Sequence, residues 1–226
     1  MRRILTTAFA AVTLVAVPVS AQVAGLPVFN SGVSSGISLN ADFGFPNEDA
    51  GKGKAMGLTG GLALGPVGVT GTIASHTPDG GDSETWVGAT ANLKVFGGPL
   101  IPVSVNAQVG LGYNSTPNGS PIPGEDLKTV VIPVGLGFAL NVPTPGLSIK
   151  PWIAPRMQYT RTSGAADDSQ TKFAISAGVN LGLIGGINGR VAYDYMTTKV
   201  GGVTYKPGVF SVGLGWNFNI PVVPGI

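Results

Sequence analysis

The chain has 226 residues, of which 43% are hydrophobic and only 11% are charged, whereas charged residues ordinarily make up about 25% of a soluble domain. So few charges do not cover an ordinary water-exposed surface, and beyond residues 1–21 the sequence has no apolar run of the roughly 18 residues that a helix needs to cross a membrane. The length favours a single all-β barrel or sandwich domain.

The N-terminus has the three parts of an export signal. Arg2 and Arg3 form a basic start, residues 4–17 are apolar, and residues 19–21 (Val-Ser-Ala) form a small-residue cleavage site. We therefore predict a signal peptide over residues 1–21. Without its two arginines the basic residues fall from 13 to 11, equal to the 11 acidic residues. A neutral mature chain is not expected to bind nucleic acid, and a chain without cysteine has neither disulfides nor thiolate chemistry.

From Gly36 onward, polar and apolar residues alternate with the period of two that is typical of strands with unlike faces. In the clearest run, Phe173, Val179 and Leu183 lie on one face, and small or polar residues alternate with them on the other. The pattern predicts ten strands, at residues 35–45, 55–64, 67–75, 84–96, 101–113, 128–140, 147–161, 171–184, 187–198 and 206–219.

The connections between these strands alternate in length. Short turns are predicted at residues 65–66, 97–100, 141–146 and 185–186, and longer polar loops separate the other strand pairs. This alternation indicates an up-and-down antiparallel meander. We predict a closed antiparallel transmembrane β-barrel over residues 35–219, with ten strands and with eight or twelve as the alternatives. Residues 22–34 are expected to form an N-terminal periplasmic extension, and residues 220–226 a C-terminal periplasmic tail.

The composition of the polar faces predicts which face is outside. These faces consist mainly of Gly, Ser, Thr, Ala and Asn, whereas a water-facing exterior needs Lys, Arg, Asp and Glu. Small polar residues suit a lumen, and the Val, Leu, Ile and Phe faces suit lipid, where a closed barrel satisfies every backbone hydrogen bond. The alternative is a soluble periplasmic barrel with its apolar face inside around an apolar ligand.

Over nearly the whole mature chain, the sequence resembles the small bacterial outer-membrane β-barrel proteins, such as those like the OmpA transmembrane domain. The sharpest match is Ser211, Gly213, Trp216 and Phe218, which resemble the C-terminal assembly signal of that family. The resemblance implies contact with outer-membrane lipid and recognition by the barrel-assembly machinery. One departure is that residues 219–226 follow Phe218, which is normally at or near the end of the chain.

The alternation also places charged residues on the inward face. They are Asp42, Lys94, Lys150, Arg156, Arg190 and Asp194. Four basic residues against two acidic ones predict a slightly basic lumen, and many inward glycines leave it unfilled, so we predict a narrow passive pore for small hydrophilic solutes. The alternative is a closed structural or adhesive barrel, in which these charges pair with one another and the loops are displayed to partners.

Enzymatic and metal-dependent readings have weaker support. A hydrolase would require His76 beside Ser75 or Ser83 and an acidic residue, and loop sequence does not fix that geometry. The carboxylates of Asp79, Asp82 and Glu84 form a weak candidate calcium site without the spacing of an EF-hand. We therefore predict no enzymatic activity, no cofactor and no dedicated metal site, and the sequence leaves the oligomeric state open.

Overall fold

The computed structural model describes residues 24–32, 36–97, 101–117, 125–164, 168–200 and 202–218. The predicted signal peptide and the predicted C-terminal tail lie outside these residues. The described strands are β1 (Gly36–Pro46), β2 (Lys54–Leu64), β3 (Val67–Thr77), β4 (Glu84–Phe96), β5 (Val103–Thr116), β6 (Leu127–Leu140), β7 (Val142–Thr144), β8 (Leu147–Ser163), β9 (Asp168–Leu183), β10 (Ile187–Met196), β11 (Thr198–Val200), β12 (Val203–Tyr205) and β13 (Gly208–Phe218).

Ten of these strands form a closed antiparallel barrel. Neighbouring strands pair in the order β1, β2, β3, β4, β5, β6, β8, β9, β10 and β13, and β13 closes the ring by pairing with β1. At this seam Ala41 lies opposite Leu214. The predicted ten-stranded up-and-down barrel is confirmed, and its strand ends shift by at most three residues, at Thr116 and Asp168.

The three short strands are additional to the ten strands of the barrel wall. The strand β7 continues the line of β6 beyond Asn141 and pairs with β8, whereas β11 and β12 form a separate hairpin in the connection from β10 to β13. Each contains three residues, which is too few for a two-residue period to stand out in the sequence. No helix in the described ranges is long and apolar enough to cross a membrane.

The alternating residues sort as the sequence predicts. The side chains of Leu39, Leu58 and Leu214 are exposed on the outer face, and those of Ser38 and Asp42 are buried on the inner face. An apolar exterior of this kind suits lipid. The reversed barrel with an apolar lumen therefore does not describe this chain.

The two ends of the barrel differ. At one end, which we call the short-turn end, the connections are brief, as at residues 65–66 and 184–186. At the other, the long-loop end, residues 47–53, 78–83 and 197–207 make longer connections. The strand β1 runs from the short-turn end to the long-loop end, so the level of any inward residue follows from its position along its strand.

Candidate functional site in the barrel lumen

The lumen contains a piece of the chain itself. Residues 24–32, which we call the N-terminal segment, run through it from the long-loop end to the short-turn end. Near the first end Gly25 approaches His76 of β3, and near the other the carbonyl oxygen of Ser31 accepts a hydrogen bond from Asn106 Nδ2 at 2.6 Å. The segment thus occupies the space that a passing solute would use.

Both apolar packing and polar contacts hold the N-terminal segment. Leu26 and Phe29 are buried, with Phe29 0% exposed, and burial of such a side chain contributes about 1.5–3 kcal/mol. Leu26 lies over Gly57, where an added Cβ would come within 2.5 Å of its methyl group. Gln108 Nε2 donates a hydrogen bond to the carbonyl oxygen of Asn30. Inward polar residues of β5 therefore bind the backbone of the segment.

Residues 24–32 belong to the stretch that the sequence suggested as a periplasmic extension, and the structure places them between the inner walls. The apolar residues Leu26, Val28 and Phe29 could have indicated that this segment is buried, because a hydrophobic cluster is unfavourable in an extension surrounded by water. The two-residue period carries no information about such a segment, since it reports the faces of strands and not what lies against them.

A buried ion pair lies in the lumen beside the segment. The Arg156 guanidinium donates to both carboxylate oxygens of Asp194, at 2.7 and 3.0 Å, and both side chains are 0% exposed. Ser176 accepts from Arg156 Nη1 at 2.8 Å and donates to Asp194. The Phe29 ring lies 5.7 Å from the guanidinium carbon, within cation–π range. Two of the predicted lumen charges are thus neutralised together beneath the segment.

A second ion pair joins two further predicted lumen charges. Arg190 Nη2 donates to Asp42 Oδ2 at 2.5 Å. The two residues lie on β10 and β1, on either side of β13, and both are in register with Gly213 between them. The pair crosses the inner face of β13 where that strand has no side chain. The predicted free lumen volume above this glycine is therefore occupied by a neighbouring carboxylate.

This arrangement predicts the cost of a methyl group at that position. In Gly213→Ala the new Cβ would collide with Asp42 Oδ1, so we expect the free energy of unfolding to fall by about 1–3 kcal/mol. Urea unfolding of the refolded barrel, followed by tryptophan fluorescence, measures this. Gly189→Ala is the matched control, because its Cβ would meet no atom closer than 4.0 Å. Equal losses in the two variants would contradict the crossing role of Gly213.

The two ion pairs leave two of the six predicted lumen charges, and both of these cations lie at one end of the barrel. Of the six predicted charges, four form the two ion pairs, and the other two, Lys94 and Lys150, lie towards the short-turn end of β4 and β8. The sequence prediction omitted Lys172 of β9, which is buried on the inner face two residues from Ala174. The same alternation identifies it, since Phe173 between them is exposed.

The residues considered for hydrolysis are not brought together. Ser83 Oγ lies 2.7 Å from Thr77 Oγ1, and the His76 ring nitrogen Nε2 lies 3.5 Å from the carbonyl oxygen of Lys52. His76 is buried against the N-terminal segment. In this part of the structure the histidine therefore has a packing role, with no hydrogen bond to serine among the described contacts.

The weak calcium candidate is likewise dispersed. Within the described residues, no three His, Cys, Asp or Glu side chains are grouped closely enough to hold a metal ion. Glu84 Oε2 instead accepts a hydrogen bond from Trp86 Nε1 at 3.4 Å. The structure therefore does not gather Asp79, Asp82 and Glu84 into one site.

Loops at the long-loop end are fastened to one another. The Asn47 side chain donates to the carbonyl oxygen of Lys206 at 3.0 Å and accepts from the Gly208 amide at 3.1 Å. The Lys206 amide donates to Asp49 Oδ2 at 2.7 Å. An exposed ion pair joins Lys52 to Glu48, and this carboxylate raises the pKa of the Lys52 ammonium. The first and last long loops thereby form one connected surface.

The residues of the predicted assembly signal lie on the two faces of β13. Ser211 and Gly213 face the lumen, and Ser211 is buried there. Trp216 and Phe218 are exposed outside, near the short-turn end, with ring centroids 5.2 Å apart. Aromatic side chains at such a level suit a membrane interface.

Comparisons with known proteins agree with this architecture. The family model described as "Outer membrane protein beta-barrel domain" matches residues 7–218. No curated protein sequence matches the chain. Among solved structures, the β domain of the Bordetella autotransporter BrkA has a TM-score of 0.54 and 14% identity, covering 82% of this chain and 100% of its own.

Two further similar structures have lower scores. The outer membrane protease OmpT from Escherichia coli has a TM-score of 0.45 and 11% identity, covering 81% of this chain and 94% of its own. The attachment invasion locus protein Ail of Yersinia pestis has a TM-score of 0.34 and 12% identity, covering 82% of this chain and 100% of its own. At such identities the likeness concerns the fold alone.

Proposed function

Because the chain belongs to the outer membrane protein β-barrel domain family, we propose that it is a closed barrel of the bacterial outer membrane that displays its long loops to partners. One observation carries this proposal: the N-terminal segment fills the lumen at the level of the Arg156–Asp194 pair. Phe29 and both charged side chains are inaccessible to water. A solute crossing the barrel would have to displace all three.

The long-loop end is suited to display. Short turns face the periplasm and long loops face the outside in bacterial outer-membrane barrels. The bonds from Asn47 and Asp49 join the first long loop to the last one. Loops fastened to each other lose less conformational entropy when a partner binds, which favours binding. We propose that the protein has no enzymatic activity.

We also propose that β13 is read by the barrel-assembly machinery through Ser211, Gly213, Trp216 and Phe218. The exposed, stacked rings of Trp216 and Phe218 at the short-turn end support this, because that end faces the periplasm. In this reading Gly213 has a second role besides recognition, since it leaves room for the Asp42 carboxylate.

The second candidate function is the narrow basic pore predicted from the sequence. A polar cavity of about 150 Å³ at the short-turn end supports it, since Lys150 and Arg190 line that part of the path. Conduction would then require the N-terminal segment to leave the lumen. Charged side chains along such a path would set the preference between anions and cations.

Single-channel recording in a planar bilayer tests the proposal. The refolded barrel starting at residue 22 is expected to insert without steady conductance, because Phe29 and the Arg156–Asp194 pair fill its lumen. A variant without residues 24–32 is the comparison, and insertion of both is checked by protease protection in liposomes. Steady conductance of the intact barrel, with an ion preference that moves towards cations in Lys150→Glu, would contradict the closed barrel and support the pore.

A further inference from the structure

The polar cavity at the short-turn end has the dimensions of a small binding site. Its volume of about 150 Å³ holds on the order of ten water molecules. Seven barrel strands line it, and Asn30 and Gly32 of the N-terminal segment form part of its wall. It is therefore a chamber formed by the barrel and the segment together, separate from the surface loops.

The described lining of the chamber has positive charge and no carboxylate. Lys150 and Arg190 line it, and none of the described Asp and Glu residues does. The charge of Arg190 is balanced by Asp42 outside the lining. Among the described residues, no carboxylate forms a salt bridge with Lys150. This end of the lumen consequently attracts anions.

The neighbouring amides add directed donors to that charge. Lys150, Asn180 and Arg190 are in register across β8, β9 and β10. Asn180 Oδ1 accepts a hydrogen bond from Trp152 Nε1 at 3.0 Å, which fixes the amide and leaves its Nδ2 as a donor. Asn188, also in the lining, has a buried Nδ2 with no hydrogen-bond partner among the described residues. A buried donor without an acceptor is costly, and a ligand oxygen would satisfy it.

We infer that this chamber binds a small oxyanion of the phosphate or sulfate class. Its oxygens are acceptors with negative charge, which complement the Lys150 ammonium and the amide donors of Asn180 and Asn188. The ion enters from the short-turn end, since the N-terminal segment fills the lumen beyond. This site goes beyond the display function and does not depend on whether the barrel conducts.

Binding of the ion is coupled to the position of the N-terminal segment. Asn30 and Gly32 help to form the chamber, so an ion that prefers the complete chamber stabilises the docked segment. The chain has no cysteine, and a single Ser31→Cys substitution therefore reports the release of the segment through its reaction with a maleimide. Bound phosphate is expected to slow that reaction.

Isothermal titration of the full refolded barrel with inorganic phosphate and with sulfate tests the site, in dodecyl maltoside at constant ionic strength. Lys150→Met is expected to weaken binding by roughly tenfold or more, the loss typical of one charge-assisted hydrogen bond. Lys54→Met is the matched control, because it removes an exposed cation at the long-loop end of β2, far from the chamber. It is expected to leave binding unchanged. Asn188→Leu is a second variant that removes the unpaired donor without changing the charge.

The outcomes separate the possible interpretations. A titration with glycerol phosphate, compared with inorganic phosphate, distinguishes a lipid headgroup from a free ion as the source of the ligand. Tighter binding of glycerol phosphate indicates the headgroup, tighter binding of inorganic phosphate indicates the free ion, and both results support the oxyanion site. Failure of the intact barrel to bind phosphate, sulfate or glycerol phosphate would overturn it. Equal weakening by Lys150→Met and Lys54→Met would also overturn it, because the binding would then reflect overall charge. Retained resistance to sodium dodecyl sulfate verifies that each variant forms the folded barrel.

Discussion

Replacement of Asp194 by alanine is expected to lower the free energy of unfolding by about 3–5 kcal/mol, because it leaves the Arg156 guanidinium buried without its counter-charge. Both side chains are 0% exposed, and Asp194 accepts two hydrogen bonds from the guanidinium. Urea titration of the refolded barrel in detergent measures the difference. Asp79→Ala, which removes an exposed loop carboxylate, is expected to change the stability by less than about 0.5 kcal/mol.

The double variant Arg156→Met/Asp194→Leu separates the ion pair from the space that it fills. Substitution of a whole buried pair by apolar residues of similar volume is often neutral or stabilising, so we expect the double variant to recover most of the lost stability. A double variant as unstable as Asp194→Ala would instead assign the loss to packing around Ser176 and Phe29, both of which touch the guanidinium.

Phe29→Ala is expected to release the N-terminal segment without unfolding the barrel. Loss of a buried phenyl ring costs about 3–5 kcal/mol, and Phe29 also covers the Arg156 guanidinium. The segment has no strand pairing with the barrel, so its docking and the closure of the ring are separate equilibria. At about 3 kcal/mol, the docked population relative to the released one falls by roughly a hundredfold.

Maleimide labelling of Ser31→Cys measures this release, since Ser31 is 1% exposed and its hydroxyl has no hydrogen-bond partner among the described residues. We expect fast labelling in Phe29→Ala and slow labelling in the parent. Phe43→Ala, on the outer face, is the matched loss of a phenyl ring and is expected to leave the labelling slow. Equally slow labelling in Phe29→Ala would mean that the contacts of Asn106 and Gln108 alone retain the segment.

The sequence alone predicts most of the barrel wall. Phe173, Val179 and Leu183 lie on one face because an antiparallel strand in contact with lipid and lumen must alternate, and this constraint acts at every position. The three-residue strands, such as β11, lack enough repeats for that constraint to be seen. Strand ends at Thr116 and Asp168 shift because hydrogen bonding continues beyond the membrane-spanning pattern.

The contents of the lumen were less predictable. The alternation directs Arg156 and Asp194 inward, but their pairing depends on which strands are neighbours and at which level, and this follows only from the register. Glycine offers another example. Gly135 and Gly213 leave space along their own strands, and the side chains of Arg156 and Asp42 occupy it from the neighbouring ones. Free volume cannot be counted one strand at a time.

The path of the N-terminal segment determines where attached peptides would emerge. Because Gly25 lies near His76 and Gly32 near Asn106, the polypeptide passes through the barrel once before β1 begins. The ten barrel strands then return the chain to the short-turn end at Phe218. The chain therefore runs between the two ends of the barrel eleven times, an odd number. In the proposed orientation, with the long loops outside, an epitope fused just ahead of residue 24 would face the cell exterior, whereas one fused after residue 218 would face the periplasm.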